Sequence, residues 1–205
     1  MRFKAAVAQV DAKVGNLRLN VESHLKHVNA AIKAGANLIL FPELSLTGYT
    51  LRDLAWEVAI NPYTDPVLDP LRKRSADISI VTGLVESGTD HGIYNAAVLF
   101  EDGEVKHIHR KIYPPTYGMF EEGRYFSAGR ILRAVDTKVG RLGLLVCEEL
   151  WHLSLPYLLA HDGAEAILVL TASPSRIAGT ETELQHAKVN HEQHRVYARL
   201  LSSYI

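Results

Sequence analysis

The first 42 residues constrain the fold more than any other part of the chain. "FKAAVAQV" (3–10) is an Ala- and Val-rich run of strand length. After Gly15 and a candidate N-cap, Asn16, apolar residues recur at helical spacing from Leu17 to Ala34: Val21, Leu25, Val28, Ala31 and Ile32. Gly35 ends that run. "NLILF" (37–41) is a second, near-continuous apolar strand, closed by Pro42. A strand that is apolar on both faces must be covered on both. Strand, amphipathic helix, buried strand is therefore the opening of an α/β fold.

The pattern continues less evenly. Residues 43–70 read as a loop leading into a short helix, punctuated by Pro62, Pro66 and Pro70. "DISIVTGLVE" (77–86) and "YNAAVLF" (94–100) read as strands. Asp102-Gly103 is a hairpin signal ahead of the alternating "VKHIHRKIY" (105–113). "ILRAVDTK" (131–138) and "RLGLLV" (141–146) form another strand pair, turning at Val139-Gly140. Residues 150–162 read as a helix, 164–173 as a strand and 181–203 as a long helix. "YI" at 204–205 begins another apolar run, so Ile205 is expected at the start of a strand whose continuation is absent. The paired strands between single strand–helix units suit stacked sheet layers better than one doubly wound sheet. No linker, repeat or low-complexity tract divides residues 1–205, so one domain is expected.

Bulk properties narrow the function. The 205 residues are 47% hydrophobic and carry a net charge of −1, enough for one sizeable core and no basic surface for nucleic acid. No stretch approaches the ~20 apolar residues that span a bilayer, and the N-terminus lacks the pattern of a secretory signal. A cytoplasmic protein with no nucleic-acid or membrane partner is expected. The single cysteine, Cys147, forms no internal disulfide and builds no zinc site alone.

Three of these strands end in a reactive side chain: "LILFPE" in Glu43, "HIHRK" in Lys111 and "GLLVC" in Cys147. Strand ends are where α/β proteins build sites. A thiol must lose its proton to attack, a carboxylate can take it, and a lysine can stabilise the resulting anion. Taken singly, each has an ordinary reading: a buried small side chain, a loop carboxylate, a surface charge.

Read together, three blocks resemble the nitrilase superfamily of carbon–nitrogen hydrolases: "LILFPELSLTGY", "HRKIYPPTYGMFEEGRYFSAG" and "GLLVCEELW". They follow the family's order and look most like the glutaminase domains of glutamine-dependent NAD synthetases and related free-standing amidases. The resemblance implies a four-layer αββα sandwich. It implies Glu43 as general base, Lys111 as transition-state stabiliser, Cys147 as nucleophile and Glu122 as support for Lys111. It places Tyr117, Phe120, Glu148 and Ser173 near the substrate, with the Glu148 N–H as an oxyanion donor. Thr171 stands where the branch usually has Asn, and Glu149 where it usually has Asp. The Glu148 and Glu149 carboxylates would raise the thiol pKa if they faced it, so they are expected turned away or paired.

The implied activity is hydrolysis of a small primary amide, glutamine-like, through a cysteine thioester. The alternatives are an N-carbamoyl or nitrile substrate, or a non-catalytic, truncated domain. No cofactor is needed. Among ten histidines, His107 and His109 share a strand face, and His186, His191 and His194 lie on the last helical stretch. None forms a zinc motif such as H-E-x-x-H, so no metal is expected. A homodimer or larger assembly is expected through the apolar 150–162 segment, with Val196, Tyr197 and Leu200 as a second surface. The resemblance also implies further strands beyond Ile205, so the domain is expected to be incomplete at its C-terminus.

Overall fold

The computed structural model describes residues 2–173, 192–193, 195–198 and 201. The C-terminal strand start at Ile205 and most of the 181–203 helix, including His186, His191, His194 and Leu200, lie outside the described residues.

Among the described residues eight strands form two sheets. The first has five strands in sequence order: β1 (Ala5–Val7), β2 (Leu38–Leu40), β3 (Ser79–Ser87), β4 (Ile93–Glu101) and β5 (Glu104–Arg110). β1, β2 and β3 run parallel, and β3, β4 and β5 are antiparallel. The second sheet has the order β6 (Val135–Thr137), β7 (Gly140–Val146), β8 (Ala166–Leu170), with β7 and β8 parallel. Parallel neighbours need a crossover, and helix α1 (Leu17–Lys33) supplies the one from β1 to β2. Asn16 caps it, accepting from the Leu19 N–H at 3.2 Å.

The layers follow from which faces are apolar. Val21, Val28 and Ala31 of α1, with Leu71 of α3 (Asp69–Arg74), pack on Ile39, Ile80, Val98 and Phe100 of the first sheet. The opposite face of that sheet, through Leu38, Val81, Ala97 and Leu99, meets Leu142, Leu144, Val146, Ala166 and Leu170 of the second. Leu155 and Leu159 of α5 (Ser154–His161) cover Leu145 and Ile167 outside it. This is the αββα sandwich. Val7 pairs with Leu40 of the inter-sheet layer yet is 80% exposed. Among the described residues β8 is bordered by β7 alone.

The expected helix over 150–162 is two elements. A 3₁₀ turn covers Cys147–Trp151, and α5 begins only at Ser154. Pro156 is the reason: it has no N–H to donate, so it fits the first turn of a helix and not its interior. The short helix α2 (Leu54–Glu57) follows the loop as expected, and Pro66 and Pro70 act like Pro156, opening a 3₁₀ turn (Pro66–Leu68) and α3 beyond it. Among the described residues no helix is long and apolar enough to cross a membrane.

Candidate active site

Glu43, Lys111 and Cys147 each leave the end of a strand, β2, β5 and β7 respectively, at the same end of the sandwich. Pro42 breaks the β2 run, and the turn that follows folds back over β3. Leu46 N–H donates to the Gly83 carbonyl at 3.0 Å. Gly83 permits this approach, since a Cβ there would lie 2.8 Å from the Pro42 oxygen and against the Leu44 nitrogen. Lys111 stays on the sheet for one more bond, its N–H donating to the Asn95 carbonyl at 2.8 Å. Cys147 and Leu44 both hold a left-handed backbone, φ +47° and +50°. Such conformations are costly for non-glycine residues and concentrate at functional sites.

The Lys111 ammonium is 1% exposed and donates to Glu43 Oε1 at 2.7 Å and to Glu122 Oε1 at 2.8 Å. Glu122 comes from α4 (Glu122–Tyr125). Asn95 of β4 bridges the same carboxylates from the other side, its Nδ2 donating to Glu43 Oε1 at 2.8 Å and Glu122 Oε2 at 3.3 Å. Tyr49 donates its hydroxyl to Glu122 Oε1 at 2.7 Å. The Ala172 N–H, just past β8, reaches Glu43 Oε2 at 3.1 Å. The Cys147 side chain packs at the edge of the inter-sheet layer, where the Glu43 and Lys111 charges both act on its thiol.

Burial raises the pKa of Glu43, and Lys111 only partly offsets it. Burial and the Glu43 charge push the Cys147 thiol up to about 12, against the pull of Lys111. Burial opposes the Lys111 charge, but the Glu43 and Glu122 carboxylates outweigh it and hold its pKa above the ordinary value. The resting sulfur is therefore a thiol beside an acceptor carboxylate, with a fixed cation next to both. It can lose its proton to Glu43 as it attacks, rather than waiting as a free thiolate.

The two carboxylates after Cys147 are both paired. Glu149 is fully buried and accepts from the Val146 and Ile112 N–H groups and from His109 Nε2. Glu148 accepts from the Tyr117 hydroxyl at 2.6 Å and from His152 Nε2 at 3.2 Å. Tyr117 and Phe120 meet edge to face, ring centroids 5.7 Å apart. Ser173, next to Ala172, is exposed. Sequence reasoning missed Asn95 and Tyr49. The signal for Asn95 was a lone amide in the apolar run "YNAAVLF", and for Tyr49 the end of "LSLTGY". Among the described residues no group of three or more His, Cys, Asp or Glu side chains is placed to hold a metal ion.

Chains with this layering and these strand ends make up the nitrilase superfamily. This one belongs to the carbon–nitrogen hydrolase family of cysteine-dependent hydrolases, whose family model matches residues 4–196. A glutamine-dependent NAD(+) synthetase of Acinetobacter baylyi is 33% identical over 183 residues, 89% of this chain and 34% of that protein. The solved structure of a glutamine-dependent NAD+ synthetase from Acinetobacter baumannii superposes with a TM-score of 0.77 at 30% identity, covering 94% of this chain and 36% of that one. An amidase from Nesterenkonia sp. AN1, solved with acrylamide added to its active-site cysteine, superposes at TM-score 0.74 and 27% identity. It covers 89% of this chain and 70% of that one. The chain spans about a third of the length of the curated relatives it matches.

Proposed function

We propose that the chain is an amidase unit that releases ammonia from a small primary amide, glutamine-like, through a thioester on Cys147. The observation that carries this reading is the Glu43 carboxylate. Its charge acts on the Cys147 thiol, while Lys111, Asn95 and the Ala172 N–H fix its orientation. A base so held can serve only the sulfur or something bound beside it. The name of the Acinetobacter baylyi relative, a glutamine-dependent synthetase, supports glutamine as the amide.

In this mechanism Glu43 takes the thiol proton as the S–C bond forms at the amide carbonyl. Lys111 and the Glu148 N–H stabilise the oxyanion. Glu43 passes the proton to the amide nitrogen, the C–N bond breaks and ammonia leaves. Water then attacks the thioester with Glu43 again as base. The acid departs and the sulfur regains its proton. Glu122 holds the Lys111 ammonium between two carboxylates. Tyr117, Phe120, Glu148 and Ser173 are proposed to border the substrate.

The test is an ammonia-release screen over L-glutamine, simple amides, ureido compounds and nitriles, with mass spectrometry of the protein after mixing. Turnover of amides with an adduct on Cys147 is expected, and Cys147→Ala should abolish both. Glu43→Gln and Lys111→Ala should each lower kcat at least ~100-fold. Preference for ureido or nitrile substrates would assign another branch of the family. An adduct that persists in Cys147→Ala would refute the nucleophile.

A further inference from the structure

Resting on that reading, we infer that Glu149 is a positioning residue: its buried carboxylate staples the strand end bearing Lys111 to the strand end bearing Cys147. The site is assembled across two sheets. Glu43 and Lys111 leave strands of the first sheet, and Glu122 is tied to them directly. Cys147 leaves β7 of the second. Between the sheets lies an apolar layer, whose attraction is non-directional and fixes no register. The Lys138 N–H donates to Glu101 across the sheets at the far end of the sandwich, and Glu149 supplies direction at the end that carries the site. Its Oε1 accepts from the N–H of Ile112, the residue after Lys111, at 2.7 Å. Its Oε2 accepts from the N–H of Val146, the residue before Cys147, at 2.6 Å, and from His109 Nε2, two residues before Lys111, at 2.8 Å. Lys111 and Cys147 are thus each flanked by a group bonded to one carboxylate.

The chemistry explains why a carboxylate stands there. Val146 and Ile112 sit where their strands end, and a buried N–H without an acceptor is costly. Three donors converge, and only an ionised carboxylate offers two oxygens with room for all of them. Glutamine has the same shape but one oxygen, so it turns an N–H toward another N–H on one side. The Ala172 N–H also reaches across the sheets, but to Glu43 and at 3.1 Å, so it sets the base and not the spacing of Lys111 from the sulfur. An error of about 1 Å in such spacing is worth on the order of 100-fold in rate.

The experiment compares the full chain with its Glu149→Gln and His109→Gln variants, using L-glutamine, or acetamide if glutamine is not turned over. Folding is checked by near-UV circular dichroism. The expected result for Glu149→Gln is a kcat about 100-fold lower, KM within about twofold and both limbs of the pH–rate profile unmoved, because the residue places the reacting groups and takes no part in the bond-making steps. His109→Gln, the milder change, should lower kcat about 5- to 10-fold with the same signature. Hydrogen exchange needs no turnover and is read in parallel. At least one of the Val146 and Ile112 amides should exchange about 10-fold faster in Glu149→Gln, with the β3–β4 amides unchanged. A folded Glu149→Gln protein with kcat within threefold of the parent overturns the inference, as does unchanged exchange at both amides. If Glu149→Gln does not fold, an unchanged kcat in His109→Gln overturns it. A parent protein that hydrolyses nothing and forms no adduct refutes the hydrolase reading instead, and the exchange result still decides the staple.

Discussion

Glu43 must be ionised to act as base, and burial raises its pKa above the ordinary value of 4.5. kcat/KM should therefore fall as pH drops through an apparent pKa above 4.5, while the alkaline limb lies high, since Lys111 is held above its ordinary 10.5. Asn95 lowers the Glu43 pKa by donating to it. Asn95→Asp replaces that donor with a third carboxylate, so the acid limb should move up by at least ~1 unit; an unmoved limb in a folded variant would show that Asn95 does not tune the base. A second pH effect belongs to stability. His24 is buried, stacks on Phe41 and gives its Nδ1–H to the Asn20 carbonyl at 2.7 Å, leaving Nε2 to accept from Ser45 or Thr82. Burial lowers its pKa from 6.5 to about 4, and lowers that of His107 likewise. The neutral form is favoured by folding, so this stability is present above pH 6.5 and lost as pH falls toward 4. Each should cost about 2 kcal/mol between pH 7.5 and 5. Urea unfolding at the two pH values measures the sum, and His24→Gln should remove about half of the slope. At this scale Glu43, Lys111 and Cys147 were legible because each follows the end of a strand that the sequence pattern marks, apolar for Glu43 and Cys147 and alternating for Lys111. Asn95 and Tyr49 were not, because their partners are set by β4 lying between β3 and β5 and by α4 folding back, neither of which is local.

Elements were legible where hydrophobic period was long. Helix α1 was expected over 17–34 and is found at Leu17–Lys33, and the Asp102-Gly103 turn has the positive φ values, +56° and +84°, that a two-residue hairpin demands. The misreadings share a cause in proline. Pro66 and Pro70 read as punctuation in the sequence but begin helices, and Pro156, inside an apolar run, fixes where α5 starts. Strand ends also shrank: β1 keeps three residues of the eight expected and β6 three of eight, because pairing partners stop there. One element-level contact predicts a change of activity larger than its change of stability. Gly83 of β3 lies under the turn that carries Glu43, and a methyl group there would meet the backbone of Pro42, Glu43 and Leu44. Gly83→Ala should lift that turn from the sheet and move the base. We expect a kcat loss of ~10-fold or more in protein that still folds cooperatively. Retention of full kcat would mean that the turn yields without moving Glu43.

At the scale of the molecule, the layering was legible from the alternation of buried strands and one-sided helices, but the assignment of strands to two sheets was not, because it depends on which hairpins stay in register across a dozen residues or more. The surface of α5 carries the remaining argument. Its inner side, Leu155 and Leu159, is spent on the second sheet. The outer side of this stretch is no more polar: Trp151 and Leu153 just ahead of α5, and Tyr157 and Leu158 on it, are 40–55% exposed, with His152 and His161 beside them. A helix that covers a sheet in a monomer normally turns charges outward. Val196 adds a further exposed apolar side chain, while Tyr197 is half-buried against the α5 layer. We propose that two copies pair through this face, since a two-fold axis lets one apolar patch cover its own duplicate. Burying four large side chains per protomer at ~25 cal/mol per Å² is the driving force, and a charge placed in the patch should abolish it. Sedimentation at micromolar concentration should give twice the 22.7 kDa chain mass. A Tyr157→Lys, Leu158→Lys double variant should run as a monomer with the β7–β8 core intact. A parent chain that is monomeric at these concentrations would leave the α5 face to another partner and refute the dimer.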